Sequence, residues 1–104
     1  MNPQTVVGSV TGTGAAIDVI IGFQPDYVLV INTTDGDQVD HWFRGMADGT
    51  SINASGAAPA TRAAPNGITA IDAATGSGFR IGAALSEATK TLRYFATRSG
   101  PGAN

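Results

Sequence analysis

Residues 22–46 read GFQPDYVLVINTTDGDQVDHWFRGM and contain the strongest strand signal in the chain. Within this stretch, Tyr27 to Ile31 form a run of five apolar residues. Because successive side chains of a strand point to opposite faces of a sheet, this run predicts a central strand that is apolar on both faces. Such a strand needs cover on both sides, either inside a sandwich or between the sheet and a neighbouring subunit.

A hairpin is predicted directly after this strand. The segment Asn32–Asp37 contains an Asp-Gly pair, which favours a tight turn because glycine tolerates positive φ. The return strand covers Val39–Met46, with Phe43 facing one way and Trp42 the other. We predict that Phe43 lies in the core and that Trp42 covers the sheet. Alternatively, the triplet Trp42-Phe43-Arg44 belongs to an interface, where aromatic residues and arginine are enriched.

Several other short β-branched or aromatic runs, bounded by turn-forming residues, also predict strands. They lie at residues 5–10, 15–23, 50–53, 68–73, 79–81 and 91–98. Seven or eight strands at spacings of roughly ten residues predict an all-β fold, an antiparallel β-sandwich or a small barrel. We expect residues 1–98 to form a single β domain and residues 99–104 a flexible tail. The predicted core contains Ile17, Ile21, Val28, Val30, Phe43, Phe79, Ile81 and Leu92.

The composition narrows the classes of function. Of 104 residues, 42% are apolar and 13% charged, which allows one small core and argues against long amphipathic helices. A formal charge of −2 provides no basic surface for nucleic acid or an anionic membrane. Cysteine is absent, so disulfides and thiolate metal sites are excluded. No secretory pattern and no run of roughly 20 apolar residues is present, so we expect a soluble chain made in the cytoplasm.

Catalytic chemistry finds little support in the sequence. The single histidine, His41, lies near Asp35, Asp37 and Asp40, but this spacing matches neither a zinc site nor an EF-hand loop. We interpret the segment as a solvated acidic turn followed by a histidine at a strand edge, rather than as a metal or acid–base cluster. No G-x-S-x-G element accompanies a possible Ser-His-Asp set. We therefore expect no catalytic residue, metal or cofactor, and no enzyme.

Residues 54–67, ASGAAPATRAAPNG, lack any large apolar side chain and contain two prolines. The segment is predicted to be a long loop, because it cannot build a core of its own. It is either a flexible excursion or an extended arm that lies along a neighbouring subunit, with Arg62 as its anchor. On the second interpretation, deleting residues 57–64 should leave the domain folded.

Residues 12–46, GTGAAIDVIIGFQPDYVLVINTTDGDQVDHWFRGM, resemble a pattern in small structural proteins of tailed bacteriophages. The pattern has a glycine-rich turn, an alternating strand, GF-x-P-D followed by an aromatic residue and valine, a buried strand ending in asparagine, and an aromatic-rich return strand. The later GSGFRIGA and RYFATR also fit it, so the similarity covers most of the chain.

The resemblance implies a virion β-domain, and the small size favours a capsid decoration (cement) protein over a tail or fibre module. Such proteins are short, often trimeric, and stabilise the phage head by bridging capsomers. We therefore expect the major capsid protein and further copies of the chain, as a homotrimer, to be its partners on the capsid surface. The alternative is a receptor- or carbohydrate-binding β-sandwich of a tail or fibre that uses Trp42, Tyr27 or Tyr94 as a stacking platform. The predicted contact residues are Trp42, Arg44, Ala57, Ala58, Pro59, Ala60, Thr61, Arg62, Pro65 and Asn66.

Overall fold

The structure, a computed structural model, describes residues 4–36, 38–54, 60–72, 74 and 76–98. These residues form a β-sandwich of nine antiparallel strands in two sheets, which confirms the predicted all-β fold. None of their helical turns is long and apolar enough to cross a membrane. The strands are β1 (Gln4–Thr11), β2 (Ile17–Ile20), β3 (Tyr27–Asn32), β4 (Val39–Phe43), β5 (Ser51–Asn53), β6 (Ala60–Arg62), β7 (Ile68–Ile71), β8 (Gly78–Ile81) and β9 (Thr91–Arg98).

The two sheets differ in size. The large sheet has six strands in the order β1-β9-β3-β4-β5-β6, and the small sheet has three in the order β2-β8-β7. Strand β3 pairs with both β9 and β4, so its predicted central position is confirmed. The predicted hairpin between β3 and β4 is present as well, and the Gly36 amide donates to the Asn32 carbonyl at 2.8 Å within the turn. Gly36 has a φ of 70°, which explains the need for glycine there.

The core lies between the small sheet and one face of the large sheet, which we call the inner face. Alternation along the strands places Val28 and Val30 of β3 and Leu92 and Ala96 of β9 on this face, all at most 1% exposed. The small sheet contributes Phe79, whose ring packs edge-on against Tyr94 with 5.3 Å between centroids. The buried cluster comprises Val19, Val28, Val30, Trp42, Ile68, Phe79, Ile81, Leu85, Leu92 and Ala96.

Val30 offers a direct test of this core. The Val30→Ala substitution is expected to lower the free energy of unfolding by roughly 1–3 kcal/mol, because it removes buried methyl groups and leaves a partly unfilled cavity. Val30 is 1% exposed, so water cannot replace the lost contacts. Urea unfolding followed by circular dichroism measures the change. No measurable loss would place Val30 outside the core.

Two details of the predicted core need correction. Phe43 was predicted to be buried, but it is 51% exposed and lies on the opposite face of the large sheet. Ile17 and Ile21 are half-buried and pack against the core from its margin. The reason for the first error is the register, which pairs Trp42 with Val28 and thereby turns Trp42 inward and Phe43 outward.

The predicted long loop at residues 54–67 also differs from the structure. Its residues Ala60–Arg62 form β6, which pairs with β5 in the register Ser51↔Arg62, Ile52↔Thr61 and Asn53↔Ala60. The sequence does not predict this strand, because alanine, threonine and arginine show no apolar alternation. Residues 55–59 and the predicted tail 99–104 lie outside the described part of the chain.

Candidate functional site

The cross-strand register builds a continuous apolar surface on the large sheet, opposite the core. Directly paired residues of antiparallel strands share a face, so each row of partners can be followed across the sheet. One row runs Val7, Phe95, Leu29, His41, Ile52 and Thr61. The flanking rows are Thr5, Thr97, Tyr27 and Phe43 on one side, and Ser9, Arg93, Ile31 and Val39 on the other. We call these fourteen positions the outer face.

Large apolar side chains on this face remain open to solvent. Val7 is 72% exposed, Phe43 51% and Ile52 37%. The apolar side chains between them, including Leu29 and Phe95, are half-buried by their neighbours alone. From β1 to β5 the surface spans roughly 19 Å, at about 4.8 Å per strand. Extended apolar surface of this kind typically marks an interaction site.

An aromatic cluster occupies the middle of the outer face. The Tyr27 ring lies 4.9 Å from Phe43 and 6.1 Å from Phe95, measured between centroids. Its hydroxyl lies 2.8 Å from Nδ1 of His41. Burial raises the pKa of the Tyr27 hydroxyl above its usual value, so the phenol stays protonated near neutral pH and can donate to the imidazole. This bond pairs the Tyr27 hydroxyl with one ring nitrogen of His41, which lowers the cost of covering these two atoms with a partner.

The exposed side of the small sheet has a different character. Asp18 and Arg80 face each other across β2 and β8 and form a bidentate ion pair, with bonds of 2.6 and 3.2 Å. The hydrogen bond and charge of the Arg80 guanidinium hold the pKa of the Asp18 carboxyl below its usual value. No carboxylate stands among the fourteen positions of the outer face. The exterior of the small sheet therefore carries an ion pair, whereas the outer face carries Arg93 and no acidic side chain.

Trp42, a predicted contact residue, does not lie on this surface. Its side chain is 4% exposed and belongs to the core, so it has almost no area to offer a partner. Its indole Nε1 is buried and has no hydrogen-bond partner among the described residues. Phe43, which was assigned to the core, takes the exposed position. The predicted aromatic contact thus moves by one residue along β4.

Arg62 was predicted to anchor an arm on a neighbouring subunit, but it is held inside its own chain. Its Nε and Nη2 donate to the two carboxylate oxygens of Asp40 at 2.8 and 3.1 Å. Asp40 is fully buried and also accepts from Ser51 Oγ at 2.5 Å and Asn53 Nδ2 at 2.9 Å. The guanidinium therefore reaches across β5 and fastens β6 to β4. Deleting residues 57–64 is now expected to destabilise the domain, because it would leave this carboxylate unpaired.

The other predicted contact residues lie in three places. Arg44 directly follows β4, and its half-exposed guanidinium pairs with Asp26. Thr61 lies on the outer face beside Ile52, and its side chain is exposed. Pro65 and Asn66 are exposed in the turn after β6, next to Gly82 at the end of the small sheet. For Ala60 the structure describes the backbone alone, and Ala57, Ala58 and Pro59 fall outside the described residues.

The acidic side chains near His41 in the sequence do not come together with the imidazole in the structure. Asp40 lies on the inner face, paired with Arg62, whereas His41 lies on the outer face beside Tyr27. Asp35 pairs with Lys90 at 3.3 Å in the turn, and Asp37 is outside the described residues. The expectation that Asp40 is solvated was therefore wrong. In the part of the chain that the structure describes, no three His, Cys, Asp or Glu side chains are grouped to hold a metal.

The stacking platform predicted for a glycan-binding module is dispersed over the molecule. Tyr27 lies on the outer face, Trp42 is buried in the core, and Tyr94 is half-buried on the inner face against Phe79. The residues that the sequence did not assign to the candidate site are Val7, Leu29, Ile52 and Phe95, whereas Phe43 was assigned to an interface only as the alternative to its place in the core. The signal for some of them was present, because the apolar run of β3 requires cover on both faces.

Comparisons with known proteins add no relative to this description. Searches of protein-family models, curated proteins and solved structures found no match to the chain.

Proposed function

We propose that the protein is a structural component of a tailed-phage virion, a capsid decoration protein whose outer face packs against major capsid subunits at contacts between capsomers. The observation that carries this proposal is the open apolar surface on one side of the sandwich, with Val7 72% and Phe43 51% exposed. The phage-like sequence pattern supports the same class of protein. In this proposal the chain assembles onto the head in the host cytoplasm and performs no catalysis.

The chemistry of the outer face favours a protein partner. Its centre consists mainly of aromatic and aliphatic side chains, and the Tyr27 hydroxyl is paired with Nδ1 of His41 at 2.8 Å. A specific protein interface buries roughly 800 Å² per partner and has a core depleted in charge. Arg93 lies in a flanking row of the outer face, where polar residues of an interface are expected. A partner on this face would cover the second side of β3, as its apolar run requires, while the small sheet covers the first.

Self-association belongs to the proposal, and the resemblance implies a homotrimer. Repeated copies on a symmetrical shell add their weak contacts, because each bound copy raises the effective concentration of the next. Stabilisation of the shell then follows from bridging, and resistance of the particles to heat is its measurable consequence.

The experiment compares two exposed apolar residues on opposite exteriors. Phe43→Ser on the outer face is expected to weaken binding to undecorated capsids at least about tenfold, since it removes a large apolar contact from the interface. Ile20→Ser on the small sheet serves as the matched control, because Ile20 is 56% exposed and lies on the other side. Binding is measured by co-sedimentation with purified capsids at increasing protein concentration. Equal binding by the two variants would contradict the proposed interface.

Glycan or receptor binding remains the second candidate, favoured by the half-exposed ring of Tyr27 next to Phe43. Sugar recognition combines ring stacking with several hydrogen-bonding groups that fix orientation. The outer-face positions carry no carboxylate and no carboxamide, which favours the decoration protein. Two results together would make glycan binding the first candidate. The chain would bind an immobilised glycan specifically and lose this binding in Tyr27→Ala, and it would not bind capsids.

A further inference from the structure

A second surface lies at the free edge of β1. This strand ends the large sheet and, among the described residues, pairs with β9 alone. Its eight residues, QTVVGSVT, carry no charge and no proline, and they pair with β9 without a bulge from Gln4↔Arg98 to Thr11↔Thr91. Natural edge strands are usually kept short, charged, bulged or interrupted by proline, because an open edge is a template for another strand. Strand β1 has none of these devices.

The other three edges are protected. Strand β6 has three residues and includes Arg62, and β2 has four and includes Asp18. Strand β7 has four residues, and Thr50 forms a bridge to Ile68 at its outer side. The contrast in length and protection makes β1 the edge that is open to another strand.

The hydrogen-bond pattern identifies which backbone groups of β1 are free. The carbonyls of Thr91 and Thr97 accept from residues that flank β3, so odd-numbered residues of β9 turn toward β3 and even-numbered ones toward β1. Even-numbered residues of β9 are paired with even-numbered residues of β1. The N–H and C=O groups of Thr5, Val7 and Ser9 therefore point away from the sheet.

We propose that β1 pairs antiparallel with β1 of a second copy, which joins two large sheets into one. Two identical strands meet this way about a two-fold axis, so every outward N–H finds an outward C=O of the same segment. In the register centred on Val7, Val7 faces Val7 of the copy and Thr5 faces Ser9. No charges oppose each other in this register, and the exposed Val7 side chains meet. The two outer faces then form one continuous surface.

This inference goes beyond the proposed function and is tested without capsids. Sedimentation equilibrium of the purified intact chain at about 100 μM is expected to give the mass of a dimer. This concentration lies well above a dissociation constant in the micromolar range. A monomer, or the trimer that the resemblance implies, would overturn the pairing. A dimer would replace the homotrimer that the resemblance implies, but neither result bears on whether the outer face binds capsids, so the capsid interface and the β1 pairing can fail separately.

Two substitutions at one position separate backbone pairing from side-chain packing. Val7→Pro removes the outward N–H but leaves the bonds to β9 intact, and it is expected to raise the dimer dissociation constant at least about tenfold. Val7→Ala keeps the N–H and is expected to leave the dimer largely intact. An unchanged dimer in Val7→Pro would overturn the proposal. If Val7→Pro fails to fold, amide exchange of the wild-type chain decides: slow exchange at Thr5, Val7 and Ser9 supports pairing, and fast exchange there overturns it.

Discussion

Replacing Arg62 with methionine is expected to lower the free energy of unfolding by about 3–5 kcal/mol, one of the two largest effects we predict. The reason is that Asp40 is fully buried and its two oxygens receive both bonds of the Arg62 guanidinium, at 2.8 and 3.1 Å. Methionine keeps the apolar stem but leaves a buried carboxylate without its counter-charge. For a domain with a typical stability of 5–15 kcal/mol, this loss is a large fraction of the total.

Urea unfolding measures the effect through Trp42, the single tryptophan, which is 4% exposed in the folded chain. Arg44→Met is the matched control, because the Arg44–Asp26 pair is half-exposed on the arginine side and should contribute at most about 1 kcal/mol. Adding Asp40→Asn to Arg62→Met should recover part of the loss, since the two residues are directly coupled. If Arg62→Met lowers the free energy of unfolding as little as Arg44→Met does, the buried ion pair does not fasten β6 to β4.

Phe79→Ala is expected to cost a similar 3–5 kcal/mol, because the ring is fully buried between the sheets and its removal leaves a cavity that the core cannot close. It also removes the edge-on contact with Tyr94, at 5.3 Å between centroids. Phe43→Ala, at a ring that is 51% exposed, should cost no more than about 1 kcal/mol. Thermal and urea unfolding of the two variants compare the faces directly. A larger loss in Phe43→Ala would contradict the assignment of inner and outer faces.

The sequence predicted most strands because the chain marks them by local chemistry. Asp-Gly and Gly-rich turns separate runs of β-branched residues, and the alternation around Ile17 and Val19 follows the observed half-buried strand β2. The apolar run from Tyr27 to Ile31 predicted both the central position of β3 and its need for cover on two sides. These features depend on neighbours within a few residues, so they can be predicted from the sequence without knowledge of the fold.

Local sequence does not predict which face of β4 turns toward the core. Each face of this strand mixes polar and apolar residues, with Asp40 beside Trp42 on one side and His41 beside Phe43 on the other. An aspartate argues locally for solvent, and it is buried here because Ser51 and Asn53 donate hydrogen bonds to it and Arg62 neutralises its charge. The same long-range pairing turned the predicted loop into strand β6. Contacts between residues that lie 11 to 22 positions apart decide these details.

The candidate site follows from that assignment. With Trp42 inside and Phe43 outside, the aromatic cluster around Tyr27 becomes the centre of an exposed sheet face rather than part of the core. The apolar run of β3 explains why this face exists, and the register explains its extent from β1 to β5. A partner that covers it would complete a third layer over the large sheet.

We propose that this layer is a phage capsid, and the copy number of the chain in purified virions is the decisive quantity. The measurement is quantitative mass spectrometry of tailed-phage particles released by the strain that encodes the chain, after separation of heads from tails. We predict that the chain sediments with the heads, at a fixed copy number related to the number of capsomers. Absence of the chain from virions, or a few copies confined to the tails, would contradict the proposal.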